Sequence, residues 1–298
     1  MLAWRLLLAP LIIGGLILLF VVDAKCGDSA PVLWVLASLL ALRSTWELVQ
    51  LLRVRFDPNF PLLASVILAV VSANWIVPLA GPVIADPTFA GRLGPALLVY
   101  ALGVMALFVS GLIRYRAPGK SLESLGAELV TLSYVAVFVS LTVQLRWTGP
   151  VPFGYLPLAS LVVATKCGDT CAYFAGRAFG RTKLSPLISP GKTTAGAAGA
   201  FLGAVAGGWA WLYWGTKYFT SAQPGPWYWL VLYGLVLGVV GLVGDLAESL
   251  LKRDLGAKDS APLLPGFGGL LDLLDSVIFT GPVAYLLWQI LPLSTSGL

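Results

Sequence analysis

Nine long apolar stretches constrain this 298-residue chain more than any other feature of its sequence. A helix that spans a bilayer needs about 20 mostly apolar residues, and a backbone in lipid must satisfy its hydrogen bonds internally. The pattern therefore predicts an all-α fold, a polytopic membrane helix bundle of about nine transmembrane helices. The predicted spans are residues 3–22, 31–51, 61–80, 94–113, 122–145, 151–168, 194–214, 227–244 and 277–294.

The composition excludes a soluble globular protein. Only 11% of the residues are charged and 58% are hydrophobic, whereas soluble domains carry about 25% charged residues. The net charge of +5 could indicate a nucleic-acid partner. The charges lie in short connections between the apolar runs, so membrane orientation explains them better, and we expect no nucleic-acid partner.

The first apolar run and the basic residues predict the orientation. The run from Met1 to Val22 is longer than the usual signal-peptide core of about 7–15 residues, so we interpret it as a spanning helix. With a cytoplasmic N-terminus, fourteen Lys and Arg residues fall on the cytoplasmic side and four on the far side. This bias predicts a multi-pass protein of the cell inner (plasma) membrane whose N-terminus is cytoplasmic.

The two halves of the chain differ in polarity. Residues 1–150 are apolar spans with short connectors, and Arg43 and Glu47 are interpreted as an i, i+4 pair on a helix. Residues 151–298 add two long polar segments, 169–193 and 245–276, which the orientation places in the cytoplasm. We therefore predict N-terminal transmembrane helices over residues 1–150, followed by a C-terminal transmembrane region over residues 151–298 with cytoplasmic polar segments.

Acidic residues are concentrated near the last two spans. If the helix before Asp245 continues, Asp245, Ser249 and Lys252 share one face, and Asp272 and Asp275 share another by i, i+3 spacing. Clustered carboxylates near a membrane stay ionised readily only when a cation joins them. Oxygen ligands suit Mg²⁺, which usually binds one or two carboxylates together with substrate phosphates. The alternative is a solvated, salt-bridged loop.

Basic and glycine-rich strings accompany these carboxylates and suit phosphate binding. Lys252-Arg253, Lys258-Asp259 and the glycine-rich turn 266–269 combine cations with close backbone approach. Upstream, Ser189-Pro-Gly-Lys192-Thr is not a P-loop, because Pro186 stands where that motif needs glycine. Ser189 could cap a helix that starts near Lys192 and so create an anion site. A plain helix start with a membrane-anchoring lysine is equally compatible with this segment.

The order and spacing of these motifs resemble the phosphatidate cytidylyltransferase (CDP-diacylglycerol synthase) family. The resemblance rests on four strings: Ser249-x-x-Lys252-Arg253-x4-Lys258-Asp259, Gly266-x-Gly268-Gly269-x-x-Asp272-x-x-Asp275-Ser276, Asp169-Thr170-x-Ala172-Tyr173-Phe174-x-Gly176-Arg177, and Ile188-Ser189-Pro190-Gly191-Lys192-Thr193.

The resemblance implies a reaction, a catalytic role for the region 151–298, and a set of site residues. CTP and phosphatidic acid would give CDP-diacylglycerol and pyrophosphate, with Mg²⁺ and an optional second cation as cofactors. The partners implied are CTP, phosphatidic acid and the lipid bilayer; a homodimer is one option for the oligomeric state. By role, the implied residues are catalytic Asp245, Asp272, Lys252 and Asp275; metal-binding Asp245, Asp272, Ser249 and Asp275; and substrate-binding Lys192, Ser189, Arg177, Arg253, Lys258, Asp259, Gly268 and Gly269.

The chain departs from the family pattern at several motif positions. Phe267 replaces a histidine and Leu273 an arginine, while Cys171, Leu187 and Thr194-Ala195 stand where glycine, arginine and Trp-Glu are usual. An apolar side chain cannot bind phosphate, so one alternative is a catalytically impaired member that binds lipid or nucleotide. A membrane transporter is the other, although polar residues concentrated in one half do not suit paired repeats. A CTP-using polyprenol or phytol kinase is a further option among enzymes.

Overall fold

The structure, a computed structural model, describes residues 2–80, 89–116, 118–119, 121–148, 154–258, 260–261 and 268–295, and it is built almost entirely of helices. In chain order the helices are α1 Leu2–Ala24, α2 Pro31–Leu52, α3 Phe60–Ala73, α4 Ile76–Ala80, α5 Phe89–Arg114, α6 Ser121–Leu132, α7 Phe138–Gln144, α8 Leu156–Phe179, α9 Thr194–Phe219, α10 Trp227–Asp254 and α11 Leu270–Ile290. A π-helical turn, Ser133–Val137, joins α6 to α7, and 3-10 turns occupy Gly27–Ser29 and Leu145–Trp147.

Six helices among the described residues are long and apolar enough to cross a membrane. They are Gly27–Leu52, Gly91–Arg114, Ser121–Trp147, Thr194–Phe219, Trp227–Asp254 and Leu270–Ile290, and shorter apolar helices cover Pro10–Ala24 and Phe60–Ala73. Each of the nine predicted spans overlaps helix: α8 begins at Leu156 within the described part of the sixth span, and the ninth span extends beyond the end of α11 at Ile290. Leu112 is 76% exposed and Leu97 66% exposed on α5, which suits a lipid-facing surface. The protein is a polytopic helical membrane protein.

One predicted span is interrupted. The run 61–80 forms α3 and α4 rather than one continuous helix. Asn74 Nδ2 donates to the carbonyl oxygens of Val70 and Val71 at 3.2 and 2.9 Å and to Ser140 Oγ at 2.9 Å. A side chain that bonds the last carbonyl groups of its own helix supports a helix end, which apolar content alone does not predict.

Four short strands accompany the helices. β1 Lys183–Ser185 pairs antiparallel with β2 Ser189–Thr193, and β3 Gln223–Pro224 pairs with β4 Ser294–Thr295. β2 leads directly into α9, where Thr193 Oγ1 accepts a hydrogen bond from Gly196 N at 3.1 Å. The prediction that Ser189 caps this helix is therefore wrong: Ser189 begins β2, and Thr193 is the N-cap.

The chain forms two compact units. The first contains Met1–Val143 and Leu255–Leu273, and the second contains Gln144–Asp254 and Leu274–Leu298. In the first unit α3 packs against α2 and α5, with Leu63, Ile67 and Leu107 fully buried. The division predicted at residue 150 concerned function, and it stays a prediction.

In the second unit, α8, α9 and α10 approach closely because glycines face the neighbouring helix. A Cβ atom on Gly203 would lie 2.5 Å from the carbonyl oxygen of Cys167 and 2.6 Å from Cys171 Cβ. A Cβ atom on Gly234 would lie 2.6 Å from Val205 Cα. Small residues at helix interfaces allow such approach and the dense packing that holds helices together in lipid.

Candidate functional site

A cleft of about 400 Å³ lies within the second unit, among α8, α9, α10 and β2. Charged side chains on its wall come from three of these elements: Asp169 and Arg177 from α8, Lys192 from β2 and Asp245 from α10. Most of the remaining wall is glycine, alanine and leucine. The cleft therefore combines a few charged groups with a largely apolar surface, as ligand sites commonly do.

Lys192 and Asp245 form an ion pair on this wall. Lys192 Nζ lies 2.8 Å from Asp245 Oδ2, and the side chains are 17% and 39% exposed. The β1–β2 hairpin positions the lysine, while α10 carries the carboxylate. α10 continues to Asp254, so the condition for Asp245, Ser249 and Lys252 to share a helix face is met.

A second polar group joins α8 to the part of α11 in the same unit. Lys166 Nζ lies 2.9 Å from Asp169 Oδ2 and donates to Ser276 Oγ at 3.1 Å. Ser276 Oγ in turn donates to Asp169 Oδ2 at 3.1 Å. Our prediction omitted Lys166, Asp169 and Ser276 as site residues. Asp169 and Ser276 both stand in the motifs that match the family pattern, and this could have identified them. Their proximity could not be predicted from spacing, since 107 residues separate them in sequence.

Asp275 is a buried carboxylate beside these groups. It is 6% exposed, accepts a hydrogen bond from the backbone N–H of Ser276, and interacts electrostatically with Asp245, Asp169 and Lys166. Three carboxylates thus stand near two lysines, Lys166 and Lys192. The interpretation of 245–276 as a solvated loop is wrong for this carboxylate, which is buried on a helix.

The donor set of the second unit fits a magnesium ion that also binds substrate. No group of three or more His, Cys, Asp or Glu side chains within the described ranges could hold a metal by itself. Mg²⁺ usually takes only one or two carboxylates and completes its shell with phosphates and water. Carboxylate oxygens of Asp245 and Asp275 meet that requirement. Magnesium binding nevertheless stays a prediction.

Three predicted phosphate ligands lie outside the cleft wall. Lys252 Nζ is 2.5 Å from Glu248 Oε2, and both side chains are buried. Arg253 Nε donates to the Ile188 carbonyl at 3.2 Å, which connects the end of α10 to the β1–β2 hairpin. Lys258 is exposed in the first unit. Their roles in phosphate binding stay predictions.

Other predicted residues fall in different surroundings. Arg177 lines the cleft and donates to Tyr173 Oη at 3.1 Å, whereas Ser189 lies on β2 and is not on the wall. Ser249 lies buried on α10. Asp259 and Phe267 lie outside the described residues.

Asp272 belongs to the first unit and organises the turn that precedes α11. Its Oδ2 accepts hydrogen bonds from Gly269 N at 2.7 Å, Ser260 N at 3.0 Å and Ser260 Oγ at 2.9 Å. Gly268 has φ +87°, and a Cβ atom there would lie 2.5 Å from Asp272 Oδ2. Both glycines predicted for substrate binding therefore sit beside this carboxylate. Asp272 and Asp245 lie in different units, so a metal shared between them stays a prediction.

Comparison with known proteins agrees with the resemblance seen in the motifs. A phosphatidate cytidylyltransferase of Brucella suis is 42% identical over 153 residues, 51% of this chain and 54% of that protein. The chain thus spans about half the length of this relative. A protein of the same name from Thermotoga maritima is 32% identical over 211 residues, 70% of this chain and 74% of the relative. A phosphatidate cytidylyltransferase from Chlamydia muridarum is 29% identical over 283 residues, 92% of this chain and 90% of that protein.

The match to a family model extends over nearly the whole chain. The model describes the cytidylyltransferase family, and it matches residues 4–291, which include every described residue of the cleft wall and of the Asp272 turn. The protein therefore belongs to the cytidylyltransferase family.

Proposed function

We propose that this protein is a phosphatidate cytidylyltransferase, which makes CDP-diacylglycerol and pyrophosphate from CTP and phosphatidic acid. The observation that carries the proposal is the cleft of the second unit, where Lys192, Arg177, Asp169 and Asp245 line a largely apolar wall among helices of a membrane protein. The names of the relatives support the same reaction.

The proposed chemistry is a nucleotidyl transfer. An oxygen of the lipid phosphate attacks the α-phosphorus of CTP, the bond between the α-phosphorus and the bridging oxygen breaks, and pyrophosphate leaves. Such transfers depend mainly on positioning the reactants and stabilising negative charge. Lys192 and Arg177 on the cleft wall would bind phosphate oxygens. Phosphate binding by Arg253, Lys252 and Lys258 stays a prediction.

Magnesium, with an optional second cation, is the proposed cofactor. The residues of the second unit that would hold it are Asp245 and Asp275, with Ser249 as a further predicted ligand. Metal binding by Asp272, which belongs to the first unit, stays a prediction. When bound, the metal would neutralise charge on the triphosphate and on the leaving pyrophosphate. The carboxylate of Asp245 is within reach of Lys192, so the lysine can keep it in place before the substrates enter.

The lipid substrate suits the surroundings of the cleft. We propose that the diacyl tails stay in the bilayer while the phosphate of phosphatidic acid reaches the charged wall between helices. Ala197, Ala200 and Leu237 give that wall an apolar part that tolerates the glycerol and the first methylene groups.

The cellular setting is also part of the proposal. We propose that the protein lies in the inner membrane with a cytoplasmic N-terminus, because CTP is supplied from the cytoplasm and the basic residues favour that side. A homodimer is proposed as the oligomeric state, and crosslinking in native membranes would test it.

Activity of the purified protein tests the reaction. With labelled CTP, phosphatidic acid and Mg²⁺, the wild type should form CDP-diacylglycerol, measured by thin-layer chromatography. Asp245→Asn should lower the rate by at least about 100-fold, because it weakens the binding of the metal that would stabilise negative charge in the transition state. The matched control is Asp254→Asn, which changes an exposed carboxylate on the same helix and should keep the activity.

Failure of the wild type to form product with Mg²⁺ or Mn²⁺ would overturn the proposal. It would favour the family member that binds lipid or nucleotide without turnover. Phe267→His with Leu273→Arg would then be expected to create activity. Metal-independent ion flux through liposomes containing the protein would instead indicate a transporter.

A further inference from the structure

Glu47 on α2 is a buried carboxylate with partners far away in the sequence. It is fully buried, and its Oε1 atom pairs with Arg43 Nε at 2.9 Å, as the i, i+4 interpretation predicted. The same carboxylate accepts hydrogen bonds from the backbone N–H groups of Leu270 and Leu271, each at 2.9 Å. Ser260 Oγ lies 2.9 Å from its Oε2 atom. All these residues belong to the first unit.

These bonds make Glu47 a distant cap of α11. Leu270 and Leu271 are the first residues of that helix, whose N–H groups have no partner within the helix. A negative charge is favourable at a helix N-terminus, and a capping side chain normally comes from the adjacent residue. Here the adjacent residues are Gly268 and Gly269, which have no side chain, and the cap comes from 223 residues upstream.

Gly269 provides independent evidence that the turn is built around this carboxylate. A Cβ atom at Gly269 would lie 2.4 Å from Glu47 Oε2 and 2.0 Å from Ser260 Oγ. No other residue type fits that position while Glu47 and Ser260 keep their places. Gly269 thus leaves room for the Glu47 side chain, and its backbone N–H donates a hydrogen bond to Asp272.

Ser260 connects Glu47 to the Asp272 carboxylate. Its Oγ atom lies 2.9 Å from Glu47 Oε2 and 2.9 Å from Asp272 Oδ2. Gly269 N, one residue before the amide that Glu47 accepts, donates to Asp272. A movement of the Glu47 carboxylate would therefore shift both the start of α11 and the groups that hold Asp272.

We propose that Glu47 is a positioning residue of the transferase reaction: it fixes the first turn of α11 and thereby the orientation of Asp272. The inference rests on the proposed function, since Asp272 is one of its predicted metal ligands. A carboxylate that shifts by about 1 Å loses much of its value in a catalytic constellation. Glu47 itself touches no substrate in this account.

Glu128 provides a control that distinguishes a positioning role of Glu47 from a general contribution to stability. Glu128 is also fully buried in the first unit, pairs with Arg114 at 2.6 Å and accepts from Asn59 N at 2.8 Å. Both it and Glu47 thus combine an arginine with backbone N–H donors. The Glu128 partners are remote in sequence from α11, so Glu128→Gln is the control for losing a buried charge.

The test compares Glu47→Gln with Glu128→Gln in purified, folded protein. In Glu47→Gln the amide NH₂ must face a backbone N–H donor, so the first turn of α11 should loosen. We expect faster hydrogen–deuterium exchange at residues 268–273, a kcat at least about tenfold lower, and a higher Mg²⁺ concentration for half-maximal rate. Glu128→Gln should lower the melting temperature while its kcat and Mg²⁺ dependence stay within about twofold of wild type.

Ser260→Ala keeps the inference testable if Glu47→Gln does not fold. It retains both carboxylates and removes only the connecting hydroxyl, so a smaller loss of kcat with the same change in Mg²⁺ dependence is expected. An active wild type with unchanged kcat and Mg²⁺ dependence in Glu47→Gln or Ser260→Ala would overturn the inference alone. Equal losses in Glu47→Gln and Glu128→Gln would overturn it too. An inactive wild type would overturn the proposed function and, with it, the catalytic role of Glu47.

Discussion

Lys192 has a carboxylate partner and, in the proposed function, an incoming phosphate to bind. Its ammonium group lies 2.8 Å from Asp245 and its side chain is 17% exposed. A charge-assisted bond to a phosphate is stronger than one between neutral groups, so a lysine in this position can exchange one anion for another. The Gly-Lys-Thr string indicated Lys192 as a candidate anion-binding residue. It did not predict that a strand carries the residue.

Lys192→Gln should weaken nucleotide binding more than folding. Loss of a charge-assisted hydrogen bond of about 1.5–3 kcal/mol corresponds to a decrease of roughly 10- to 150-fold in kcat/KM for CTP. Steady-state kinetics at saturating phosphatidic acid would measure it. Lys183→Gln removes a lysine from the neighbouring strand β1, outside the cleft wall, and should leave kcat/KM unchanged. Equal kinetics for both variants would contradict a phosphate role for Lys192.

The sequence indicated the positions of some site residues, whereas their roles stay predictions. Lys192 and Arg177 were singled out by their motifs and Asp245 by its place after an apolar span, and all three lie on one cleft wall. Phosphate binding by Lys252 stays a prediction, and the sequence did not predict that its side chain is buried against Glu248. The sequence shows the i, i+4 spacing of Glu248 and Lys252. The burial of this pair depends on how other helices pack against α10, which the spacing does not predict. The partners of Glu47 could not be predicted, because 223 residues separate them.

Helices were the easiest elements to predict, and their ends the hardest. Apolar runs mark the part of a helix that lies in lipid, so each predicted span overlaps helix. Hydrogen bonding continues beyond that part: α10 extends from the predicted 244 to Asp254, and α11 begins at Leu270 rather than 277. The polar segment 245–276 is therefore partly helical, and its helical parts carry Asp245, Ser249 and Asp272.

Gly203→Ala tests whether α8 and α9 need their close approach. The added methyl group would meet the Cys167 carbonyl and Cys171 Cβ, so the helices must separate at a cost of about 1–3 kcal/mol. The melting temperature in detergent, followed by a thermal-shift assay, should fall. Gly126→Ala on α6 adds the same group where nothing lies within 4 Å and should leave the melting temperature unchanged or raise it. A Gly203→Ala protein as stable as wild type would contradict this account.

At the scale of the whole molecule, the sequence predicted a helical membrane protein and a direction of insertion. The first conclusion is confirmed by the six helices that qualify as spans within the described part of the chain and by the exposed apolar face of α5. The second rests on the distribution of lysine and arginine, and it stays a prediction, because a helix bundle has the same internal contacts in either orientation.

Cysteine labelling in cells tests the orientation. Cys26 is exposed after α1, and Arg181 is exposed after α8. In a background with Cys167→Ser and Cys171→Ser, an impermeant maleimide applied from outside should label Cys26. With Cys26 also replaced by serine, Arg181→Cys should react only in inverted vesicles. The reverse pattern would place the N-terminus outside the cytoplasm.

The cap that Glu47 provides has a consequence for how the chain is made. During synthesis this carboxylate enters the membrane long before the ribosome reaches Leu270, 223 residues later. Until then its later partners do not exist, and an ionised group near lipid without them is costly. Biogenesis must therefore pass through a nascent bundle that lacks α11. When α11 arrives, it surrounds the early carboxylate and completes the turn around Asp272.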